Sequence, residues 1–488
     1  MSSDSLSIVI VSPEFYPLAK TGGLADVTSA LSKSLCKLGH QVKVFLPLYR
    51  VAQKNGQIKN SGLKPVQIPV GEKSVEAGLK VTTVPGHPAE VFLIDCPKYF
   101  DRPEITRDHN TGLPYPDNDE RFILFNRAVL EYLKMLGLKP DVIQCNDWQA
   151  ALIPVYLKNI YSEDLFYQNI PSLLSINNLA LQGIFPRSAF AKLRLPQDVL
   201  PLFDFHNKIS FLKAGILSAD ILSTVSENYA VEIQASAEIG YGLEEALRLR
   251  NNDLYGILNG ADYEEWSPST DKYIPHQYAE TDFAAKRKNK QALLEQCGFA
   301  AQKLNWPALG VVTRMVEQKG MDLILDVAPE LLHKEVVLVV LGKGDAKYEH
   351  AFRELEKKYP DRVKVFVAFD EKLAHLIEAG SDIYLMPSKF EPCGLNQLYS
   401  FKYGTVPIVR KTGGLTDTVE DYKNGAGTGI VFEGYYSFEF MEALDRALEL
   451  YKDKPVWEKL QKEGMKQDFS WEKAAQKYVE LYRLVKKS

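Results

Sequence analysis

The sequence predicts an α/β protein built from two doubly wound halves, and three observations predict it. Apolar, β-branched runs alternate with helical periodicities along most of the 488 residues, the pattern of parallel strands covered by helices. The alternation lapses in the middle and restarts after Tyr263-Glu-Glu-Trp-Ser-Pro. A heptapeptide recurs, Lys20-Thr-Gly-Gly-Leu-Ala-Asp26 and Lys411-Thr-Gly-Gly-Leu-Thr-Asp417, each copy after an apolar run (Ile8–Val11, Thr405–Val409) and at the start of a helical pattern. At about 150 residues per domain the length suits two or three domains.

The elements follow in order. Leu6–Val11 is a buried-type strand, and Ser12–Gly23, with Pro13, Pro17, Gly22 and Gly23, is a loop. Leu24, Val27, Leu31, Leu35 and Leu38 share one helical face, with Gly39 as the stop. Strands are expected at Val42–Leu46, Val91–Ile94 and Val142–Cys145, and a helix over Arg121–Leu136. Pro171, Pro186, Pro196 and Pro201 interrupt the middle stretch. In the second half, strands fall at Leu309–Val312, Val336–Leu341, Val363–Val367 and Ile383–Met386, with helices at Met321–Leu332 and His350–Lys358. Trp471–Val485 is an amphipathic helix. The domain boundary is expected between about Asn259 and Pro307.

Composition narrows the function classes. Lys plus Arg number 58 against 63 Asp plus Glu, a net charge of −5, which argues against a dedicated nucleic-acid or anionic-membrane binder. Five scattered cysteines (Cys36, Cys96, Cys145, Cys297, Cys393) without a C-x-x-C pair form neither a disulfide framework nor a zinc cluster. The start, Met1-Ser-Ser-Asp-Ser-Leu, does not read as a signal peptide, and no apolar run reaches the roughly 18 residues of a membrane span. A cytoplasmic address is expected.

The two Gly-Gly turns lie beyond the carboxyl ends of strands, where doubly wound sheets bind ligands. Adjacent glycines let backbone N–H groups approach an anion, the following helix adds its positive end, and Lys20 and Lys411 add charge. The competing reading is two tight turns with solvated lysines. Neither G-x-G-x-x-G nor a P-loop is present. Arg314 and Lys319, five residues apart in Thr313–Gly320 between a strand and a helix, suit a diphosphate: a bidentate fork and a point charge. Ser388-Lys-Phe-Glu391-Pro-Cys393-Gly394-Leu-Asn396 sets a carboxylate beside exposed backbone N–H groups, suited to sugar hydroxyls and phosphate oxygens. Cys393 reads as a packed thiol before a nucleophile. Asp117-Asn-Asp119 immediately precedes a helix, so a capping role outweighs a metal-binding one. The eight histidines show no H-E-x-x-H or similar spacing, so no metal site is expected.

These motifs, with Asp147-Trp148, Asn178-Leu-Ala-Leu-Gln-Gly and Gly256-Ile-Leu-Asn-Gly-Ala-Asp262, run collinearly along nearly the whole chain. In that set the chain resembles the bacterial glycogen synthases and plastid starch synthases, retaining glucosyltransferases that use ADP-glucose. The resemblance implies a GT-B fold: two Rossmann-like domains, 1–258 on the acceptor side and 259–470 for the nucleotide sugar, facing across a deep cleft, with 471–488 a helix crossing back to the first. It implies transfer of glucose from ADP-glucose to the non-reducing 4-hydroxyl of glycogen or another α-1,4-glucan, with retention, and no cofactor. By motif position Arg314 and Lys319 are the diphosphate clamp, and Glu391 holds the donor glucose. Asp147 and Asn177 fall at catalytic positions. Lys20, Gly22 and Gly23 contact the donor with Asp26 nearby; Asn178 and Asn259 also fall at substrate positions. Cys393, Gly394 and Leu395 line sugar and phosphate with Asn396 beside them, and Phe369 stands where the family has an adenine-stacking tyrosine.

Three departures stand out. The family's His-Asn-Leu-Ala is Asn177-Asn178-Leu179-Ala180 here, its His-Asp-Trp-His is Asn146-Asp147-Trp148-Gln149, and its Thr after Cys-Gly-Leu is Asn396. An amide replacing imidazole hydrogen bonds is one reading and a weakened active site the other. The alternatives to an active glucan synthase are therefore a non-catalytic α-glucan-binding or priming partner, or a glucosyltransferase with another donor or acceptor.

Overall fold

A computed structural model describes residues 5–55, 57–108, 111–280 and 282–487; Met1–Asp4, used above in reading the N-terminus, lie outside them. The chain divides into two compact units. The first comprises Met1–Val225, Ala230–Gly260 and Trp471–Ser488; the second comprises Ser226–Tyr229 and Ala261–Ser470.

In the first unit Ser7–Val11 is the pivot of a ten-stranded sheet. On one side it pairs in parallel with Gln41–Pro47, which pairs with Glu90–Asp95. On the other side the parallel order runs through Val142–Asn146, Ser172–Ile176, Ile221–Thr224 and Leu254–Gly256. The chain thus winds first one way and then the other from Ser7–Val11, and the switch point lies at the carboxyl ends of that strand and Val142–Asn146. Antiparallel strands around Lys73–Thr83 extend the far edge. The pivot strand is buried from Ile8 through Val11, so its unbroken apolar run reflects helices on both faces.

Helix Gly23–Lys37 follows the loop, with Val27, Leu31 and Leu35 buried as their spacing predicts. Gly39, at φ 90°, supplies the left-handed residue that ends it. Helix Asn118–Met135 begins earlier than expected. Asp117, at its N-cap, makes no side-chain cap; it instead pairs with Arg102 through both carboxylate oxygens (2.7 and 2.5 Å), while Asp119 accepts from Lys192 at 2.8 Å. The side-chain cap expected of Asp117 is thus absent, whereas Asp119 stands in the helix's first turn and also accepts the Glu120 N–H at 2.8 Å. The proline-interrupted stretch forms a small antiparallel sheet of Ile184–Pro186, Asp204–Phe205 and Lys208–Ser210 among short helices.

Helix Trp471–Lys487 belongs to the first unit. It buries Trp471, Tyr478, Val479, Leu481, Tyr482 and Val485. Tyr482 hydrogen-bonds Gln144, and Lys486 pairs with Asp141 at 2.7 Å.

The second unit holds a six-stranded parallel sheet in the order Val363–Phe366, Val337–Leu341, Ala308–Val312, Ile383–Met386, Val406–Arg410, Ile430–Phe432. Here the winding reverses between Ala308–Val312 and Ile383–Met386. The loops leaving those two strands, Thr313–Gly320 and Pro387–Leu395, therefore flank the switch point. Leu309, Val311, Leu338, Val340, Ile383, Leu385 and Ile408 anchor the core beneath them.

Candidate active site

The second unit brings most of its sequence-selected residues together. Lys319 Nζ lies 2.5 Å from Glu391 Oε2, and Ser388 Oγ donates to the same oxygen at 3.1 Å. Glu391 is buried and Lys319 mostly so; such a pair is held by geometry as much as by attraction, since removing either partner leaves a charge poorly solvated. The loops are also fastened through their backbones. Lys389 N–H donates to Gln318 O at 2.9 Å, and Gln318 reaches Phe390 O. Gly320 has φ 70°, and a Cβ there would lie 2.0 Å from Pro387 O; only glycine allows this approach. Arg314 is exposed beside this pair of loops and forms no ion pair among the described residues, leaving its guanidinium available to an anion.

Cys393 is buried, in keeping with a packed thiol, and Gly394 takes φ 75° at the turn into helix Asn396–Lys402. Leu395 is the residue before that helix. The Asn396 amide donates to Val312 O at 2.9 Å and to the Tyr384 hydroxyl, which itself donates to Val312 O. This side chain ties the two central strands, so contact with a ligand would fall to its backbone. Phe369 is 82% exposed, a bare aromatic face on the loop before helix Glu371–Gly380.

The repeated heptapeptide does two different jobs. A Cβ on Gly413 (φ 45°) would lie 1.9 Å from Glu391 O, and one on Gly414 2.3 Å from Cys393 O. Gly414 N–H donates to the carbonyls of Glu391 and Pro392, and Lys411 pairs with Glu433. The second turn thus braces the Glu391 loop and does not offer that N–H to a ligand. Around Gly22 and Gly23 an added Cβ would meet nothing within 4 Å, so the first turn is open.

In the first unit the selected residues occupy the carboxyl ends of successive parallel strands. Lys20 follows Ser7–Val11, pairs with Asp26 at 2.7 Å and lies 5.2 Å from the Tyr16 ring. Both partners are substantially exposed, so the pair is weak and exchangeable. Asp147 follows Val142–Asn146 with φ 55°, an uncommon conformation for a residue with a side chain. Its Oδ1 accepts the Asn177 N–H at 2.7 Å. Burial pushes this carboxyl up to about 7, against the pull of the Asn177 and Asn178 N–H groups and with a further push from Glu14.

Asn177 itself ends Ser172–Ile176. Both its amide nitrogen and oxygen are buried, and neither makes a protein hydrogen bond of good geometry. Asn259, beyond Leu254–Gly256, likewise has a buried, unpartnered Oδ1. Buried polar atoms without partners cost about 1–3 kcal/mol each. Asn178 accepts from Ala180 N–H and shapes the turn.

One residue escaped the sequence reading. Glu14, buried in the first loop, accepts from Thr21 N–H (2.7 Å), Thr21 Oγ1 (2.5 Å) and Gly22 N–H (3.2 Å). Burial raises its carboxyl above the ordinary range despite these bonds. It occupies two of the N–H groups that the Gly-Gly motif was expected to offer an anion, and it fixes the open turn. The only signal was an acidic residue inside an otherwise apolar, proline-flanked loop.

Two doubly wound units, each with polar and charged loops beyond the carboxyl ends of its parallel strands, make up the architecture of the GT-B type. Residues 7–249 match the starch synthase catalytic domain family, and residues 301–466 match glycosyl transferases group 1. The chain is 44% identical to glycogen synthase of Koribacter versatilis over 494 residues, covering 99% of this chain and 98% of that protein. It is 40% identical to that of Thermotoga petrophila, covering 98% of each. The catalytic domain of starch synthase IV from Arabidopsis thaliana, bound to ADP and acarbose, superposes with a TM-score of 0.89 at 32% identity, covering 99% of this chain and 100% of that one. Sucrose-phosphate synthase from Thermosynechococcus elongatus shares the fold, with a TM-score of 0.60 at 18% identity, covering 98% of this chain and 99% of that one. The chain belongs to the glycogen synthase and starch synthase family.

Proposed function

We propose that the protein transfers glucose from ADP-glucose to the non-reducing 4-hydroxyl of an α-1,4-glucan such as glycogen, with retention. The observation that carries this reading is the largely buried Lys319–Glu391 pair, with Arg314 on the same loop as Lys319 and in no ion pair among the described residues, in a chain of this family. When ADP leaves, negative charge grows on the diphosphate, and fixed cations stabilise it without reorganising. Lys319 and Arg314 supply those cations, and Glu391 receives the hydroxyls of the donor glucose. The backbone of Cys393, Gly394 and Leu395 lines sugar and phosphate, and Phe369 stacks on the adenine. Lys20 and the open Gly22–Gly23 turn contact the donor, with Asp26 holding Lys20 until it engages the ligand. Asp147 positions Asn177 through its backbone N–H, and Asn177 presents its amide, and Asn259 its Oδ1, to sugar hydroxyls. The starch synthase IV structure that this chain resembles is described as bound to ADP and acarbose, which supports the choice of donor and of an α-glucan acceptor. Five free cysteines fit a reducing cytoplasm, and among the described residues no helix is long and apolar enough to cross a membrane.

Lys319→Ala and Arg314→Ala are each expected to lower kcat roughly 10²–10³-fold with an unchanged melting temperature. Near-normal turnover in both would remove the clamp from the account.

A further inference from the structure

A second cluster of ligating side chains lies in the second unit and has no part in the donor site. Glu371 and His375 are four residues apart on helix Glu371–Gly380, hence on one face, and Glu265 comes to the same place from the turn after Ala261. A ring nitrogen of His375 and one carboxylate oxygen from each glutamate all lie within 4.8 Å of one another.

The histidine is prepared on its other side. It is fully buried, with its ring stacked 3.7 Å from Trp266, which stacks in turn on Tyr399 at 4.2 Å. Its Nδ1 lies 2.7 Å from Asp271 Oδ2, and the same oxygen accepts from the Tyr403 hydroxyl. The Asp271 contact occupies Nδ1 and leaves Nε2 as the ring nitrogen open to a ligand. That Nε2 is buried without any partner.

The two glutamates are equally unbalanced. Among the described residues no lysine or arginine pairs with either; the Tyr273 hydroxyl, 3.5 Å from Glu371, is the one donor nearby. Two carboxylates and a buried, unpartnered ring nitrogen thus share one place in the fold.

We propose that His375 Nε2, Glu265 and Glu371 bind a divalent first-row transition-metal ion of the zinc type. Magnesium and calcium prefer all-oxygen shells, whereas imidazole with carboxylates suits zinc and its neighbours. Zinc bonds of about 2.0–2.2 Å place donors about 3–3.5 Å apart, so the exposed Glu371 side chain closes the set by a small rotation. The Asp271–His375 bond is the outer support that metal-ligating histidines ordinarily have. An ion here would fasten the Glu265 turn to the helix start two residues beyond Phe369. Glu265 and Glu371 are 106 positions apart (371 − 265), which hides the set from any reading of local spacing. The proposal does not depend on the donor assignment.

The test is calorimetric titration of the chelator-treated, full-length protein with Zn²⁺, in millimolar Mg²⁺, with Co²⁺ absorption as a second probe. One Zn²⁺ per chain is expected, with a Kd of about 100 μM or tighter, together with Co²⁺ ligand-field bands. Glu371→Gln and Glu265→Gln should each weaken binding roughly tenfold or more, while the metal-free melting temperature stays unchanged. Because Glu371 is exposed, its variant keeps the test decisive even where a His375 variant fails to fold. Weaker Zn²⁺ binding than that limit, or the same affinity in both glutamine variants, would overturn the site.

Discussion

At the scale of single residues, the departure from the family at Asn177 is the most consequential. An amide donates and accepts but takes up no proton near neutral pH, whereas imidazole does both. Both amide atoms stand ready, buried and unpartnered, at the end of a central strand. Asn177→His is expected to raise kcat with little change in ADP affinity. A gain of about fivefold corresponds to about 1 kcal/mol of hydrogen bonding, and a gain on the order of 10²-fold or more to proton transfer; unchanged or lower turnover contradicts the assignment. Its neighbour Asp147 gives a second test. Its carboxyl is raised from 3.8 to about 7 in the folded state, so the folded protein binds the extra proton between those values. The stability it contributes is full below its unfolded pKa and is lost as pH rises through about 7. The melting temperature of Asp147→Asn should therefore fall less steeply than that of the wild type between about pH 5 and 8. Parallel curves would place the titration elsewhere.

At the scale of elements, the strands and helices were legible because their apolar periods are long and clean: Ile383–Met386 is buried at every position, and Val27, Leu31 and Leu35 all face inward. The two Gly-Gly turns were legible as turns but not in their roles. Heptapeptides that differ only at Ala25 and Thr416 do not reveal that Gly413 meets the Glu391 carbonyl while Gly22 meets open space; that difference lies in tertiary approach. Gly413→Ala adds a clash and a strained φ, and is expected to destabilise by on the order of 3 kcal/mol and disturb the Lys319–Glu391 pair. Gly22→Ala should change stability by less than about 0.5 kcal/mol. Equal melting temperatures for the two variants would contradict the division of labour. Glu14 was illegible because nothing in the loop's sequence shows that it folds this carboxylate back onto Thr21 and Gly22, and the His375 cluster because Glu265 lies far from Glu371 and His375 in the chain.

At the scale of the whole molecule, the return of helix Trp471–Lys487 to the first unit was an expectation from family resemblance alone; an amphipathic pattern identifies a buried face but not its partner. Its large buried side chains contribute about 1.5–3 kcal/mol each, against a typical domain stability of only about 5–15 kcal/mol. A chain ending before Trp471 is therefore expected to lose the cooperative unfolding transition of the first unit, and a truncated protein with wild-type melting behaviour would contradict that packing. The fold places the selected residues on loops beyond the carboxyl ends of parallel strands, several of them at the two switch points, and the function proposed for them is glucan synthesis from ADP-glucose. The most direct test is incorporation of radiolabelled glucose into glycogen by the purified full-length protein, from ADP-glucose and separately from UDP-glucose. The account predicts α-1,4-linked label from ADP-glucose, strongly reduced in Lys319→Ala; no incorporation from ADP-glucose, or more from UDP-glucose, would contradict it.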